Sequence, residues 1–253
     1  VSVGGFNKDD LKEFCNQYYN PSNLIVGISG KFDEKKIINQ IKSNFEFLKS
    51  GNKSIKPKYK WNSGFYSEKK DLQQAHIVFG VEGLSNLDKQ RLDLSALSII
   101  LGGGMSSKLF QEIREKKGLC YSIFSFQSQF LSSGIFGFYS ACNPNDLENL
   151  LDTSLNEIKN LSKNITINDL DRAKAQLSSG FIRGQDFTFS RLERNVKSLF
   201  NHSKMFSEDY ILKKISELKI SNLLDLYDRL FYDPKTVLSI IGPDQKDFSN
   251  LNL

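Results

Sequence analysis

Apolar positions along the chain recur with two different periods, and the period tells strand from helix. Gln74 to Val81 is a short apolar run of strand length, and Leu87, Leu94, Leu97 and Ile100 then recur at helical spacing. After three glycines, Ser106 to Lys117 predicts a second helix with Met105, Leu109 and Ile113 as its inward stripe. Tyr121 to Phe130 and Ile135 to Cys142 predict a hairpin across Leu131-Ser-Ser-Gly134. Period two puts Phe124, Phe126 and Phe130 on the core face of its first strand, and Tyr121, Ile123, Ser125 and Gln127 on the other. Asn145 to Leu161 reads as helix, and Asp169 to His202 as two helices broken near Gly184. Strands and helices follow one another without regular alternation, which predicts an α+β class rather than a doubly wound sheet.

The two ends of the chain repeat one pattern. Asp10 to Gly30 and Leu223 to Gly242 each hold an amphipathic helix, two aromatics, an Asn-Pro or Asp-Pro break, an apolar stretch and a glycine. Proline disfavours helix at the residue before it, so the helices are expected to stop at Asn20 and Asp233. Leu24 to Ser29 and Thr236 to Ile241 then read as buried strands. The repeat predicts two copies of one domain type. Residues 1–49 are read as the helix-strand-helix tail of a first copy, 50–68 as a polar linker, and 69–253 as a complete second copy.

Composition narrows the function classes. Of 253 residues 39% are hydrophobic and 25% charged, which is enough for an ordinary core. The net charge of +5 is spread among interleaved acids and bases, with short clusters such as Lys53 to Lys60. Without a basic stripe or a reading module, no nucleic-acid partner is expected. No apolar stretch approaches a membrane span. Cys15, Cys120 and Cys142 form no Cys-x-x-Cys pair, which argues against a thiolate zinc site and a disulfide framework. Cys120 and Cys142 read as small buried hydrophobes, and a Cys120–His nucleophile pair has no partner indicated. His76 falls in an apolar strand and His202 at a helix end, neither with a second ligand at metal spacing.

One segment carries candidate chemistry: Leu101-Gly-Gly-Gly-Met-Ser-Ser-Lys-Leu-Phe-Gln-Glu-Ile-Arg-Glu-Lys-Lys-Gly-Leu-Cys-Tyr121. Gly118 is expected to cap the helix in the left-handed conformation, so that Arg114 and Tyr121 flank one tight turn. Both side chains donate hydrogen bonds. Two fixed donors aimed at a carbonyl that becomes an oxyanion each supply about 2.7–4 kcal/mol. From composition alone, a surface arginine and a half-buried tyrosine is the better account. Gly102, Gly103 and Gly104 serve as a cap and turn, or leave backbone open to a closely approaching substrate. A phosphate loop is excluded, because Met105-Ser106-Ser107 stand where Gly-Lys-Ser/Thr is needed.

Together with Ser133-Gly-Ile-Phe-Gly137 and Ile240-Ile-Gly-Pro243, this segment resembles the pitrilysin/insulinase-type zinc peptidases, in their smaller branch of bacterial processing-protease-like enzymes and mitochondrial processing peptidase. The resemblance covers essentially the whole chain. It implies two homologous α+β domains, each with a mixed or antiparallel sheet carrying helices on one face. The first binds Zn2+ through H-x-x-E-H; the second contributes an Arg and a Tyr seven positions apart that bind substrate carbonyls. Those roles fall on Arg114 and Tyr121, and a substrate-contacting loop on Gly102 to Gly104. No H-x-x-E-H occurs in this chain. The resemblance therefore implies the C-terminal portion of a zinc metalloendopeptidase, inactive alone, with a peptide substrate and a zinc-bearing domain or partner chain. The alternative is a non-catalytic subunit or scaffold, as homodimer or heterodimer. A bacterial cytoplasm is the expected compartment, with mitochondrial matrix and periplasm left open.

Overall fold

The computed structural model describes residues 3–52, 59–243 and 247–248. Residues 53–58, central to the expected linker and to its lysine cluster, lie outside the described residues, as do the chain ends. In order, the helices and strands are α1 (Lys8–Tyr18), α2 (Glu34–Phe45), β1 (Gly64–Lys69), β2 (Ala75–Glu82), α3 (Arg91–Gly102), a π-helical segment (Phe110–Lys116), β3 (Cys120–Gln129), β4 (Gly134–Cys142), α4 (Leu147–Lys159), α5 (Leu161–Asn164), α6 (Ile167–Asp186), α7 (Thr188–His202), α8 (Glu208–Ser216), α9 (Ile220–Phe231) and β5 (Val237–Gly242). They fall into two compact units. The first holds the described residues up to 52 and Ile182–Phe206; the second holds those from 59 to Phe181 and from Ser207 onward.

The second unit is built on one mixed sheet in the order β1-β5-β2-β4-β3, antiparallel except for the β1–β5 pair. Alternation along β2 decides which face is covered. Ala75, Ile77, Phe79 and Val81 are each at most 5% exposed, while His76 and Val78 on the other face are half-buried. The covered face continues in Phe136 and Phe138 of β4 and in Leu238 and Ile240 of β5. Leu94, Leu97 and Leu101 of α3, Leu150 and Leu151 of α4, and Leu223 and Leu226 of α9 join them in one core. Each fully buried leucine there stabilises the fold by about 1.5–3 kcal/mol. This is the expected α+β architecture with helices packed on one face.

Three expectations are corrected. Gly64 to Glu68, read as linker from its polarity, belongs with Lys69 to the edge strand β1, in register with Val237 to Gly242. An edge strand with one face in solvent carries polar residues without losing its pairing. Leu24 to Ser29, read as a buried strand, forms none in the first unit, and Leu24, Val26 and Ile28 are 42, 44 and 39% exposed. No strand lies alongside it among the described residues. Gly27 instead lies against α7, so closely that a Cβ there would come within 2.5 Å of Val196. The faces of β3 are also inverted. Ile123 is buried, Ser125 bonds Ser98 of α3 and Gln127 donates to Ser95, while Phe124 is 44% exposed beside Tyr139. Cys120 pairs with Cys142 and Ser122 with Ala141, so Tyr121 is the extra residue of a β-bulge, which exchanges the faces beyond it.

Asp93, in the first turn of α3, is 6% exposed and its Oδ1 has no hydrogen-bond partner. Burial pushes its carboxyl above the ordinary 3.8, with Asp88 adding to the rise and the Asn222 side chain opposing it. An acid with a raised value binds its proton more tightly folded than unfolded. Stability therefore falls as pH rises from about 4 through the raised value, and is flat above it. Denaturant midpoints measured from pH 4 to 7 should show this decline in the parent chain and a shallower one in Asp93→Asn. Parallel curves would remove Asp93 as the cause.

Candidate functional site

The three glycines at the end of α3 have three different surroundings. Gly102 is buried where the helix meets β3, and a Cβ there would come within 2.3 Å of the Ser125 amide nitrogen. Gly103 continues from the helix, its amide donating to the Ile99 carbonyl at 3.0 Å. Gly104 is exposed with φ +144°, a conformation that favours glycine, and a Cβ there would meet nothing within 4 Å. The Ser107 amide and hydroxyl both donate to the Gly104 carbonyl, at 3.0 and 2.6 Å. The sequence grouped these residues as one substrate-contacting loop. Only Gly104 is exposed with free space at its missing side chain, its carbonyl being held by Ser107, whereas the missing side chain of Gly102 serves helix–strand packing.

Helix resumes at Lys108, so Met105 lies ahead of it and is 74% exposed rather than inward-facing, while Leu109 and Ile113 are fully buried. Arg114 lies within the π-helical segment, a local widening often found at functional sites. Gly118 has φ +64°; its amide reaches the Arg114 carbonyl at 3.2 Å and the Leu119 amide reaches the Ile113 carbonyl at 3.0 Å. This left-handed cap turns the chain into β3 within three residues, as expected. The bulge then carries Tyr121 out of the sheet, leaving it 79% exposed. The Arg114 guanidinium carbon stands 5.1 Å from the centre of the Tyr121 ring and 4.5 Å from that of Phe110. The two residues therefore converge, as a cation resting against aromatic rings, with Tyr121 still largely exposed.

Charges nearby are matched among themselves. Lys116 pairs with Glu112 at 2.6 Å and Lys117 donates to Thr153 at 2.8 Å. Glu157 is pushed above its ordinary value by burial first and by Glu112 second. Among the described residues no carboxylate is ion-paired with Arg114. Its guanidinium fork is thus available to an external carbonyl or carboxylate. Burial pushes the Cys120 thiol up, against the Ser140 hydroxyl and Arg114, and pushes Cys142 up to about 12. Protonated thiols are poor nucleophiles, which disposes of the cysteine alternative.

Comparison with known proteins bears on this arrangement. Residues 5–177 match the family model described as the peptidase M16 inactive domain. The chain belongs to the peptidase M16 family. Over 96% of its length it is 32% identical to an uncharacterized zinc protease of Rickettsia bellii, of which it covers 59%. A protease from Helicobacter pylori superposes with a TM-score of 0.81 at 25% identity, over 95% of this chain and 60% of that one. A peptidase M16 inactive domain from Pseudomonas fluorescens shares the fold, with a TM-score of 0.86 at 19% identity, over 97% of this chain and 60% of that one. The chain thus spans about three-fifths of the length of these relatives.

Although the relative is named a zinc protease, the donors among this M16 chain's described residues do not fit a zinc site. Among the described residues no three His, Cys, Asp or Glu side chains cluster. His76 Nδ1 is engaged with the Tyr139 hydroxyl at 2.8 Å, and the His202 ring lies 5.3 Å from that of Phe206. No helix among the described residues is long and apolar enough to cross a membrane. Sequence reading missed Phe110, whose signal was its position four residues before Arg114 on one helix face. It also missed Asp169, which is 4% exposed and bound to Lys108, Arg172 and Thr166.

Proposed function

We propose that this chain is the C-terminal portion of a zinc metalloendopeptidase acting on extended peptides or presequences. In this reading residues 1–49 end a preceding domain that carries H-x-x-E-H and holds the zinc, and the second unit is the substrate-binding domain. Arg114 and Tyr121 donate hydrogen bonds to carbonyl oxygens of the peptide, and those bonds strengthen as negative charge develops on the carbonyl under attack. Gly104, exposed and with no side chain, lets the peptide approach beside them. The observation that supports this most is the stack of Arg114 on Tyr121, a cation with no ion-paired carboxylate among the described residues beside an exposed tyrosine. The matched lengths, about three-fifths of each relative, fit a preceding domain. Free cysteines fit a reducing compartment such as a bacterial cytoplasm.

A second reading is favoured by the family description itself, which names an inactive domain. Here the chain is a non-catalytic subunit that lends Arg114 and Tyr121 to a zinc-bearing partner, or a scaffold that pairs with another chain. The coding sequence upstream of Val1 separates the two. An in-frame H-x-x-E-H, with about one zinc per chain by elemental analysis of the complete protein, is the expected result. An upstream frame lacking it, with no bound zinc, overturns the single-chain enzyme in favour of a partner.

A further inference from the structure

The glycine loop is tied to α6 along three positions of one helix face. Asp169, Arg172 and Gln176 are spaced i, i+3 and i+7, which places them in a row. Asp169 closes a capping box with Thr166: the Thr166 amide donates to Asp169 Oδ2 at 2.9 Å and the Asp169 amide to Thr166 Oγ1 at 3.2 Å. The same Oδ2 takes Lys108 Nζ at 2.8 Å, and Oδ1 takes Arg172. Lys108 is where helix resumes on the way to Arg114. Arg172 also donates to the Ser106 carbonyl at 3.4 Å, and Gln176 Nε2 to the Gly103 carbonyl at 3.1 Å. On the loop's far side, Gln111 Nε2 holds the Met105 carbonyl at 2.6 Å. Carbonyls of a glycine-rich turn are thus held by side chains on either flank, while its tip at Gly104 stays uncovered.

The geometry points to Asp169, Arg172 and Gln176 as positioning residues that set the loop for a peptide backbone docking beside Arg114. This rests on the peptide-binding reading above. A loop of glycines has many conformations to lose on binding, so ordering it in advance lowers the entropic cost of docking. The contribution should therefore appear in substrate affinity rather than in the chemical step.

Gln176 is the residue to test, because it is exposed. Glu and Lys have helix propensities close to that of Gln, so Gln176→Glu and Gln176→Lys should leave α6 intact. Only the lysine keeps a donor for the Gly103 carbonyl. In the complete protein, Gln176→Glu should raise amide hydrogen exchange across residues 103–109 about fivefold, the ratio for one hydrogen bond of ordinary strength. Exchange in β2 and β4 should not change. KM for an extended peptide should rise by a similar factor with kcat retained, and Gln176→Lys should restore both readouts. Unchanged loop exchange in Gln176→Glu overturns the strut. Faster exchange with unchanged KM overturns its role in docking. A parallel Tyr121→Phe arm reports on the peptide reading itself: if turnover survives it, that reading fails, while loop exchange still decides the strut.

Discussion

Arg114→Ala in the complete protein should, on the proposed peptidase reading, lower kcat for an extended peptide by about 10²–10³-fold, the loss that accompanies removal of one preorganised donor to an oxyanion. Zinc content should not change, because the chain's described residues supply no metal cluster. Nor should stability move far. Arg114 makes no ion pair among the described residues, and its stacking is worth about 0.5–1 kcal/mol on the exposed Tyr121 ring and somewhat more on the buried Phe110 ring. Arg114→Lys should recover only part of the rate, since an ammonium keeps the charge but loses the planar fork and the flat stacking surface. Steady-state kinetics with elemental analysis on the same samples checks this. Full activity in Arg114→Ala would remove the residue from the reaction.

The second large effect concerns the fold beneath the site. Gly102→Ala puts a methyl group 2.3 Å from the Ser125 amide nitrogen, where backbone on both sides must shift. Overpacking of this kind costs about 3 kcal/mol, which lowers the thermal midpoint by about 6–12 °C in a chain of this size. Gly104→Ala meets no atom and is opposed only by its backbone angle, so about 1 kcal/mol is expected. Urea titrations of the two variants should therefore separate widely, although the residues are two apart. Equal midpoints would mean that α3 does not rest on β3 through Gly102.

The repeat at the chain ends shows where reading a sequence succeeds and where it stops. Thr236 to Ile241 and Leu24 to Ser29 look alike because strand propensity and a preceding Pro break are local properties. Only the first becomes a strand, since β1 and β2 flank it while nothing among the described residues pairs with the second. Strand formation depends on a neighbour, and a neighbour is not a local property. The same limit hid β1, whose polar residues gave no sign that β5 would lie alongside.

At the candidate site the local part was legible. Gly118 as a left-handed cap needs only the chemistry of one turn, and it places Arg114 near Tyr121 as the spacing implied. The bulge at Tyr121 was not legible, because period two has no term for an extra residue. Without it Ile123 and Phe124 were assigned to each other's faces. The division of labour among Gly102, Gly103 and Gly104 was hidden for a different reason. One amino acid serves close packing, chain reversal and open backbone, and only surrounding atoms tell these apart.

The most direct test of the central claim is a crystal structure of the complete protein with an extended peptide bound, turnover being blocked by replacing the glutamate of the proposed upstream H-x-x-E-H. The account predicts peptide carbonyl oxygens about 3 Å from the Arg114 guanidinium and the Tyr121 hydroxyl, the ordinary hydrogen-bond distance. A peptide held elsewhere, with both side chains left facing solvent, would contradict it.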